Sequence, residues 1–504
     1  MALPPKVYQF LVGLFASLGS LLFGYDLGVI AQVIASPNFK AKFNASPNEV
    51  GAVVSVFTGG AFFGAGAAGV MGDAIGRKLT IMAGAIVFLL GGALQTGAQA
   101  LSYLYAGRAI AGLGVGILCM IIPLYQAELA HPDIRGRITA LQQFMLGIGA
   151  LIAAWVSYGT YIGFPDSSEG QWRTSLGLQM LPALILAALI LFFPESPRWL
   201  IDHGKPEEGL RTLAKLHAHG NENDPWVRAE YDQIQEAITI EHELEAKSYM
   251  ELWVDKSCRR RLILTMALQA SVQMTGVSAI QYYSVTIFEL MGIKGDETLK
   301  YQAISSVLAL IAQFCCVLFI DRLGRRGPLI GGNLANMVTF IISTIMLAKF
   351  PPGDSHNKSA SWAFIVVTWL YNISFSATCG PLSWIVPSES FNTKTRSKGV
   401  SIATMTSFAF NTMIGQVTPI AMQQAGYRFY ILFIVCNFTN ALFFWAFLPE
   451  TAKVPLEEMD ALFTNTPLFV PGAKKRDYMP RDLERRVEEV EAKQSFTAQE
   501  VEKV

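Results

Sequence analysis

The sequence predicts an all-α membrane protein: twelve transmembrane helices in two pseudo-symmetric six-helix halves, with a small intracellular helical domain between them. Three observations predict it. Of the 504 residues, 52% are hydrophobic and only 15% are charged, well below the quarter or so usual for a soluble chain. The apolar residues fall in long tracts, each near the roughly 20 residues that a helix needs to cross a bilayer core. Three short charged motifs of the first half return, in the same order, in the second.

The tracts place spans at about 8–31, 49–71, 79–99, 103–129, 137–162, 175–193, 261–291, 300–320, 328–348, 360–388, 398–422 and 427–448. Glycine and proline are frequent inside them, as membrane helices tolerate. The first tract lacks a basic leading region and a small-residue cleavage site, and it contains Asp26. It therefore reads as a membrane helix rather than a signal peptide.

Orientation follows from the cations. Loops after even-numbered spans carry Arg77/Lys78, Arg135/Arg137, Arg322/Arg325/Arg326 and Lys394/Arg396/Lys398. The positive-inside rule puts these loops, both termini and the polar 194–260 stretch in the cytosol. The expected division is 1–193 for the first six-helix bundle, 194–260 for the intracellular helices, 261–448 for the second bundle and 449–504 for a polar tail.

The repeat is specific. Gly72-Asp73-Ala74-Ile75-Gly76-Arg77-Lys78 returns as Asp321-Arg322-Leu323-Gly324-Arg325-Arg326. Glu128 with Arg135-Gly136 returns as Glu389 with Arg396-Ser397-Lys398-Gly399, and Pro194-Glu195-Ser196 as Pro449-Glu450-Thr451. Repeated halves with a polar site between them are a common transporter architecture.

Other chemistries lack support. Lysine plus arginine equals aspartate plus glutamate, 39 each, which gives no electrostatic case for a nucleic-acid partner. The six cysteines and six histidines show no metal-ligand or disulfide spacing, so no metal or cofactor is expected. No nucleophile stands with a base, which argues against an enzyme. Gly112-Leu-Gly114-Val-Gly116 lies inside an apolar span and reads as close helix packing, not a nucleotide loop. Asn357-Lys-Ser359 is a glycosylation sequon in an expected outer loop.

Together the motifs resemble the sugar porter family of the major facilitator superfamily over nearly the whole chain. The family marks are Phe23-Gly24-Tyr25-Asp26, Asp73 with Gly76-Arg77-Lys78, Arg108 with Gly112 and Gly114, and Pro123 with Tyr125 and Glu128. Pro194 to Leu200, Gln281-Tyr282-Tyr283-Ser284, Gly380-Pro381 with Trp384 and Glu389, and Pro449-Glu450-Thr451 complete them. The resemblance implies alternating-access transport of a monosaccharide by a monomeric unit in a plasma membrane, with fungal-type members the nearest in character.

An acid at the centre of a membrane helix costs about 2.5–3.5 kcal/mol and is functional by default. The resemblance gives Asp26 the proton-coupling role and Arg135 as its partner. It implies an inner gate of Asp73, Arg77, Glu128, Arg135, Glu195, Arg198, Asp321, Arg325, Glu389, Arg396 and Glu450, paired across the halves. Ala74 stands where the family usually has arginine. For the cargo it implies Phe23, Gln143, Gln273, Ser278, Tyr283, Trp384, Phe408 and Asn411.

This chain departs from the family at Val272, Ser278 and Ser407, each replacing a longer amide. Fewer amides pair fewer hydroxyls, so the expected cargo is a pentose or deoxyhexose rather than glucose. Proton symport, facilitative uniport and a non-transporting sugar sensor on the same fold stay open at this point.

Overall fold

A computed structural model describes residues 4–131, 134–243, 251–290, 293, 296–350, 358–391, 395–452, 454 and 459–472. Its framework is a set of long helices. We number them α1 (Pro5–Val33), α2 (Pro47–Ile75), α3 (Arg77–Thr96), α4 (Leu101–Leu129), α5 (Arg135–Gly163) and α6 (Gly170–Phe192). After the intervening short helices come α7 (Lys256–Glu289), α8 (Asp296–Leu323), α9 (Arg326–Lys349), α10 (Ser359–Ser390), α11 (Arg396–Ala425) and α12 (Arg428–Phe447). Among the described residues there is no strand.

Eleven of these helices are both long enough and apolar enough to cross a membrane. The remaining one, α11, is long enough at 30 residues but too polar. Its polarity is spent on contacts with the rest of the bundle. Ser401 Oγ donates to Ala65 O, Thr412 Oγ1 to Thr58 Oγ1 and Ser55 Oγ to Gln416 Oε1, all at 2.7–2.8 Å. A span that faces a partner helix and a polar cavity has less need of a lipid-facing apolar surface.

Packing between the first and last six helices obeys an approximate twofold. α2 packs on α11 and α5 on α8, which exchange under 2↔8 and 5↔11, while α1 meets α7 across the centre. Glycines let α2 and α4 approach closely within the first set.

Several helices break where they pass the centre. α1 breaks at Ser17, where Gln126 Nε2 donates to both Gly13 O and Ser17 Oγ. α7 breaks at Thr275-Gly276, where Gly276 has φ 96°, and Thr275 O accepts from Tyr371 Oη and Asn437 Nδ2. α10 breaks at Thr378. Side chains thus take up carbonyls that the break frees, as an apolar surround requires.

Between α6 and α7, the helices Pro197–Asp202, Pro206–His217 and Pro225–Glu243 share a small core of Ile201, Leu210, Leu213, Val227 and Ile238. Short helices are therefore present in the stretch where they were expected. They dock on the bundle through Gln9, whose Nε2 donates to Leu216 O, and through Trp226, stacked on His131 at 4.5 Å. After α12 a short helix, Met459–Asn465, packs Met459, Leu462 and Phe463 against Leu264. The sequon at Asn357 lies outside the described residues.

Candidate functional site

At the level of the breaks in α7 and α10, helices from both sets line a cavity. It is lined by Phe23 and Leu27 from α1, Gln143 and Leu146 from α5, and Gln269, Gln273, Ser278 and Gln281 from α7. Phe375, Ser383 and Trp384 from α10 and Ser407, Phe408 and Asn411 from α11 close it. Breaking α7 and α10 here turns amides and hydroxyls inward that a straight apolar helix would bury in its neighbours.

Seven of the eight residues expected around the cargo line this cavity. Tyr283 does not. Its hydroxyl donates to Gly415 O at 2.7 Å, tying the outer segment of α7 to α11 beside a kink at Tyr283 itself. That spacing on α7 puts Gln281, not Tyr283, on the cavity face. Gln269, Gln281, Phe375 and Ser383 are lining residues that sequence reasoning missed. Gln269 and Gln281 stand one helical turn or two from Gln273, a spacing that could have shown them.

The amides are partly engaged with the protein. Trp384 Nε1 donates to Gln143 Oε1 at 3.0 Å, joining α10 to α5 across the cavity. Gln273 is held at both ends. Its Nε2 donates to Ser407 Oγ at 3.0 Å, and its Oε1 accepts from Ser278 Oγ at 2.5 Å. The two serines that replace longer amides thus hold the one glutamine left between them. Asn411 Oδ1 is buried without a partner.

Asp26 is fully buried on α1, one turn beyond Phe23, and its Oδ1 pairs with Arg108 of α4. Among the described side chains, the arginine that reaches the carboxylate is Arg108. Arg135 begins α5 at the basic end of the bundle, and its side chain lies outside the described residues. Arg108 sits seven residues into α4, at a depth within the bundle that matches Asp26 on α1; the motif reading noted it but gave it no role. Its Nε donates to Val53 O at 3.0 Å, and its guanidinium lies 4.3 Å from the centre of the Phe57 ring. Asp26 Oδ2 and Arg108 Nη2 are buried without partners.

At the basic end, the repeated motifs build the same structure twice. Arg77 bridges Glu128 through Nε and Nη2, both at 2.9 Å, and Arg325 bridges Glu389 at 3.2 and 2.9 Å. Arg77 Nη1 donates to Gly72 O and Arg325 Nη1 to Ile320 O, each five residues back. Glu195 accepts from the backbone amides of Arg77 and Lys78, and Glu450 from those of Arg325 and Arg326. Each of these two acids therefore caps a helix start, offering negative charge where unsatisfied amides and the helix dipole favour it. Burial pushes the Glu195 carboxyl above the usual range, against the amides of Ser196 and Lys78, which lower it.

These pairs form within each set of six helices, not between sets as expected. Contacts between sets near this end include Ser397 Oγ to Asp73 Oδ2 at 2.8 Å and Ser401 Oγ to Ala65 O, and the charge of Arg396 acts on Glu128. Asp73 also receives Arg77 Nη1 at 3.3 Å. Arg198 lies on the helix Pro197–Asp202 at the same end. Asp321 is near the end of α8, and its side chain lies outside the described residues.

A duplicated charged end, twelve helices related by a twofold and a polar cavity between the halves have known counterparts. The family model for "Sugar (and other) transporter" matches residues 12–463. The chain belongs to the sugar porter family of the major facilitator superfamily. Among its relatives, this porter is 34% identical to the MFS-type transporter criB of Aspergillus cristatus, over 90% of this chain and 92% of that one. It is 31% identical to a high-affinity glucose transporter of Kluyveromyces lactis, over 95% and 88%. It is 32% identical to a probable quinate permease of Aspergillus terreus, over 99% and 96%.

Solved structures with this fold include the proton:xylose symporter XylE bound to 6-bromo-6-deoxy-D-glucose. That match has TM-score 0.80 and 24% identity and covers 91% of this chain and 99% of that one. The inward-open form of XylE from E. coli matches at TM-score 0.70. The porter is a multi-pass membrane protein of a family of transporters, not of enzymes.

Proposed function

We propose that this porter is a sugar:proton symporter of the plasma membrane, working by alternating access as a single chain with its basic end in the cytosol. The observation that carries the coupling is the buried pair of Asp26 and Arg108, with one carboxylate oxygen unpartnered. A carboxylate held by one oxygen has the other free to accept a proton. Protonation would weaken the hold of Arg108, which Val53 O and the Phe57 ring still support.

The cargo has a physical route to this pair. Phe23 lines the cavity one turn from Asp26, meets Phe408 edge-on at 5.7 Å and stacks against Phe57 at 6.5 Å. Phe57 in turn lies under the Arg108 guanidinium. A ring packed against Phe23 therefore bears on the arginine that controls the carboxylate. That is the requirement for cargo and proton to bias one equilibrium.

Among the described residues no charged one lines the cavity, which favours a neutral sugar over a carboxylated cargo such as the quinate named for one relative. The spent amide of Gln273 supports a ring with fewer hydroxyls to satisfy, a pentose or a 6-deoxyhexose, because an unpaired buried hydroxyl costs about 1–3 kcal/mol.

A second reading, facilitative uniport, draws on the additional anchors of Arg108. They suit a fixed structural ion pair as well as a movable one.

The deciding experiment is uptake of a labelled sugar panel, with and without a protonophore, in cells lacking their own sugar carriers. Asp26→Asn should abolish accumulation against a gradient and spare sugar exchange. Undiminished uphill uptake by that variant would place the coupling site elsewhere, and no uphill uptake by the parent protein would leave uniport.

A further inference from the structure

The seam between α2 and α11 joins the two sets of six helices and is bonded at both ends. The helices run antiparallel, with Thr58 meeting Thr412 midway and Asp73 meeting Ser397 at the basic end. The opposite end is fastened differently. There Gln416 of α11 lies across α2, and its Oε1 accepts from Ser55 Oγ at 2.7 Å. Its Nε2 donates to Asn48 Oδ1 at 2.7 Å and to Asn48 O at 3.2 Å. One amide thus reaches from Asn48 to Ser55, two turns of α2, and uses both of its ends.

The local sequence makes room for this side chain. Gly51 stands between Asn48 and Ser55, and a Cβ there would meet Gln416 Nε2 and Gln416 O, each at 3.1 Å. On the other helix, a Cβ at Gly415 would lie 3.0 Å from Val54 Cγ1. Each helix therefore carries a glycine where the amide passes, which lets the backbones come close. At the same end Lys40 also reaches Glu289 of α7 at 4.0 Å, but both side chains are exposed. A surface pair of that kind is worth little. Gln416 is no part of the cavity wall, whose last residue on α11 is Asn411. Binding of cargo therefore leaves its hydrogen bonds unexplained.

We propose that Gln416 is a positioning residue of the transport cycle. Its side chain latches the end remote from the basic motifs and sets how often that end opens. The proposal rests on the alternating-access reading, in which this end faces the outside. Opening it requires α11 to leave α2, and the three hydrogen bonds of one side chain then break together. At the basic end of the same seam, Ser397 offers Asp73 a single bond. The latch therefore biases the empty porter toward facing the cytosol.

The test compares Gln416→Leu and Ser55→Ala with the parent, each also carrying Val54→Cys. Val54 is buried in the seam beside the latch, so a thiol there reports when this end parts. The same proteins without Val54→Cys give the background from the native cysteines. A membrane-impermeant thiol reagent applied outside intact cells should label Gln416→Leu about fivefold faster than the parent. Ser55→Ala, which removes one bond of the three, should label about twofold faster. It also keeps the test open if Gln416→Leu fails to fold.

Sugar half-saturation separates a latch from a merely structural tie. Each side's apparent affinity scales with the share of chains open to that side. Release of the latch should tighten half-saturation for sugar presented outside and weaken it for sugar presented inside. Unchanged labelling, or half-saturation moving the same way on both sides, overturns the proposal while sugar transport by the parent keeps the alternating-access reading. A parent that moves no sugar would remove that reading and the proposal with it.

Discussion

Trp384 of α10 and Gln143 of α5 are joined across the central cavity by a 3.0 Å hydrogen bond from indole Nε1 to amide Oε1. The two residues belong to different sets of six helices, so the bond is also a link between halves that move relative to each other in the proposed alternating-access cycle. A sugar hydroxyl placed here competes with the indole for the glutamine oxygen or uses the remaining amide N–H.

Trp384→Phe should keep an aromatic wall and lose the link. Where the indole N–H turns from Gln143 to the cargo on binding, the apparent affinity should fall about fivefold to tenfold, the scale of one net hydrogen bond; a rise would mean that the indole only competes with the cargo for Gln143. Gln143→Leu should cost more, since it also leaves the indole N–H of Trp384 without a partner. In a double-mutant cycle the pair should be markedly non-additive. Additive losses in uptake kinetics would show that the two side chains meet the cargo independently.

With the central cavity read as the proposed sugar site, Ser278 limits how much of Gln273 a sugar can reach. With Ser278 Oγ on Oε1 and Ser407 Oγ under Nε2, the amide is occupied at both ends. Ser278→Asn would put a longer amide at the cavity wall and release Gln273 Oε1. Glucose should then rise about tenfold against a pentose in competition, because a site able to pair a hydroxyl discriminates strongly for it. An unchanged order of sugars would place the determinant elsewhere in the cavity.

How far the sequence carried differs by link. Composition alone supplied the spans, and even the polar α11 was found at 398–422, because a 30-residue helix with interior serines is still bounded by charge. The repeat supplied the paired motifs at the basic end. Pairing was not legible. Asp26 and Arg108 stand 82 residues apart, and only their shared depth in the bundle brings them together. Glu195 and Glu450 read as gate acids because sequence records charge but not direction, and both turn out to point at backbone amides. Tyr283 was misplaced by a local kink that no residue pattern announces.

The two capping acids make a testable pair. Gly324 has φ 80° and Gly76 φ 91°, and an added Cβ would lie 2.6 and 2.7 Å from the carboxylates of Glu450 and Glu195. The glycines are needed both for the turn and for the approach of the acid. Glu450→Gln retains an oxygen acceptor and should be tolerated. Glu450→Ala should destabilise by about 0.5–2 kcal/mol, the range for lost helix caps, read as a lower melting temperature in detergent. Gly324→Ala should be worse than Glu450→Ala, since it adds backbone strain to the lost cap. Equal melting temperatures for all three variants and the parent would mean that the cap has no energetic role.

The contact most directly exposed to the transport cycle is that between Ser397 on α11 and Asp73 on α2, at 2.8 Å. It joins the sets at the basic end, while the Arg77–Glu128 and Arg325–Glu389 bridges each form within one set. A bond that must break for the basic end to open is one whose removal favours the open state. Ser397→Ala should therefore raise the reactivity of a cysteine placed deeper in the cleft, such as Ser401→Cys, toward a membrane-impermeant thiol reagent applied at the basic end. One exposed bond is worth at most about 1 kcal/mol, so the shift should be roughly threefold to fivefold. Arg325→Ala should perturb folding more than it changes that reactivity, because it leaves Glu389 buried without its partner. A cleft no more reactive in Ser397→Ala than in the parent would show that other contacts hold this end shut.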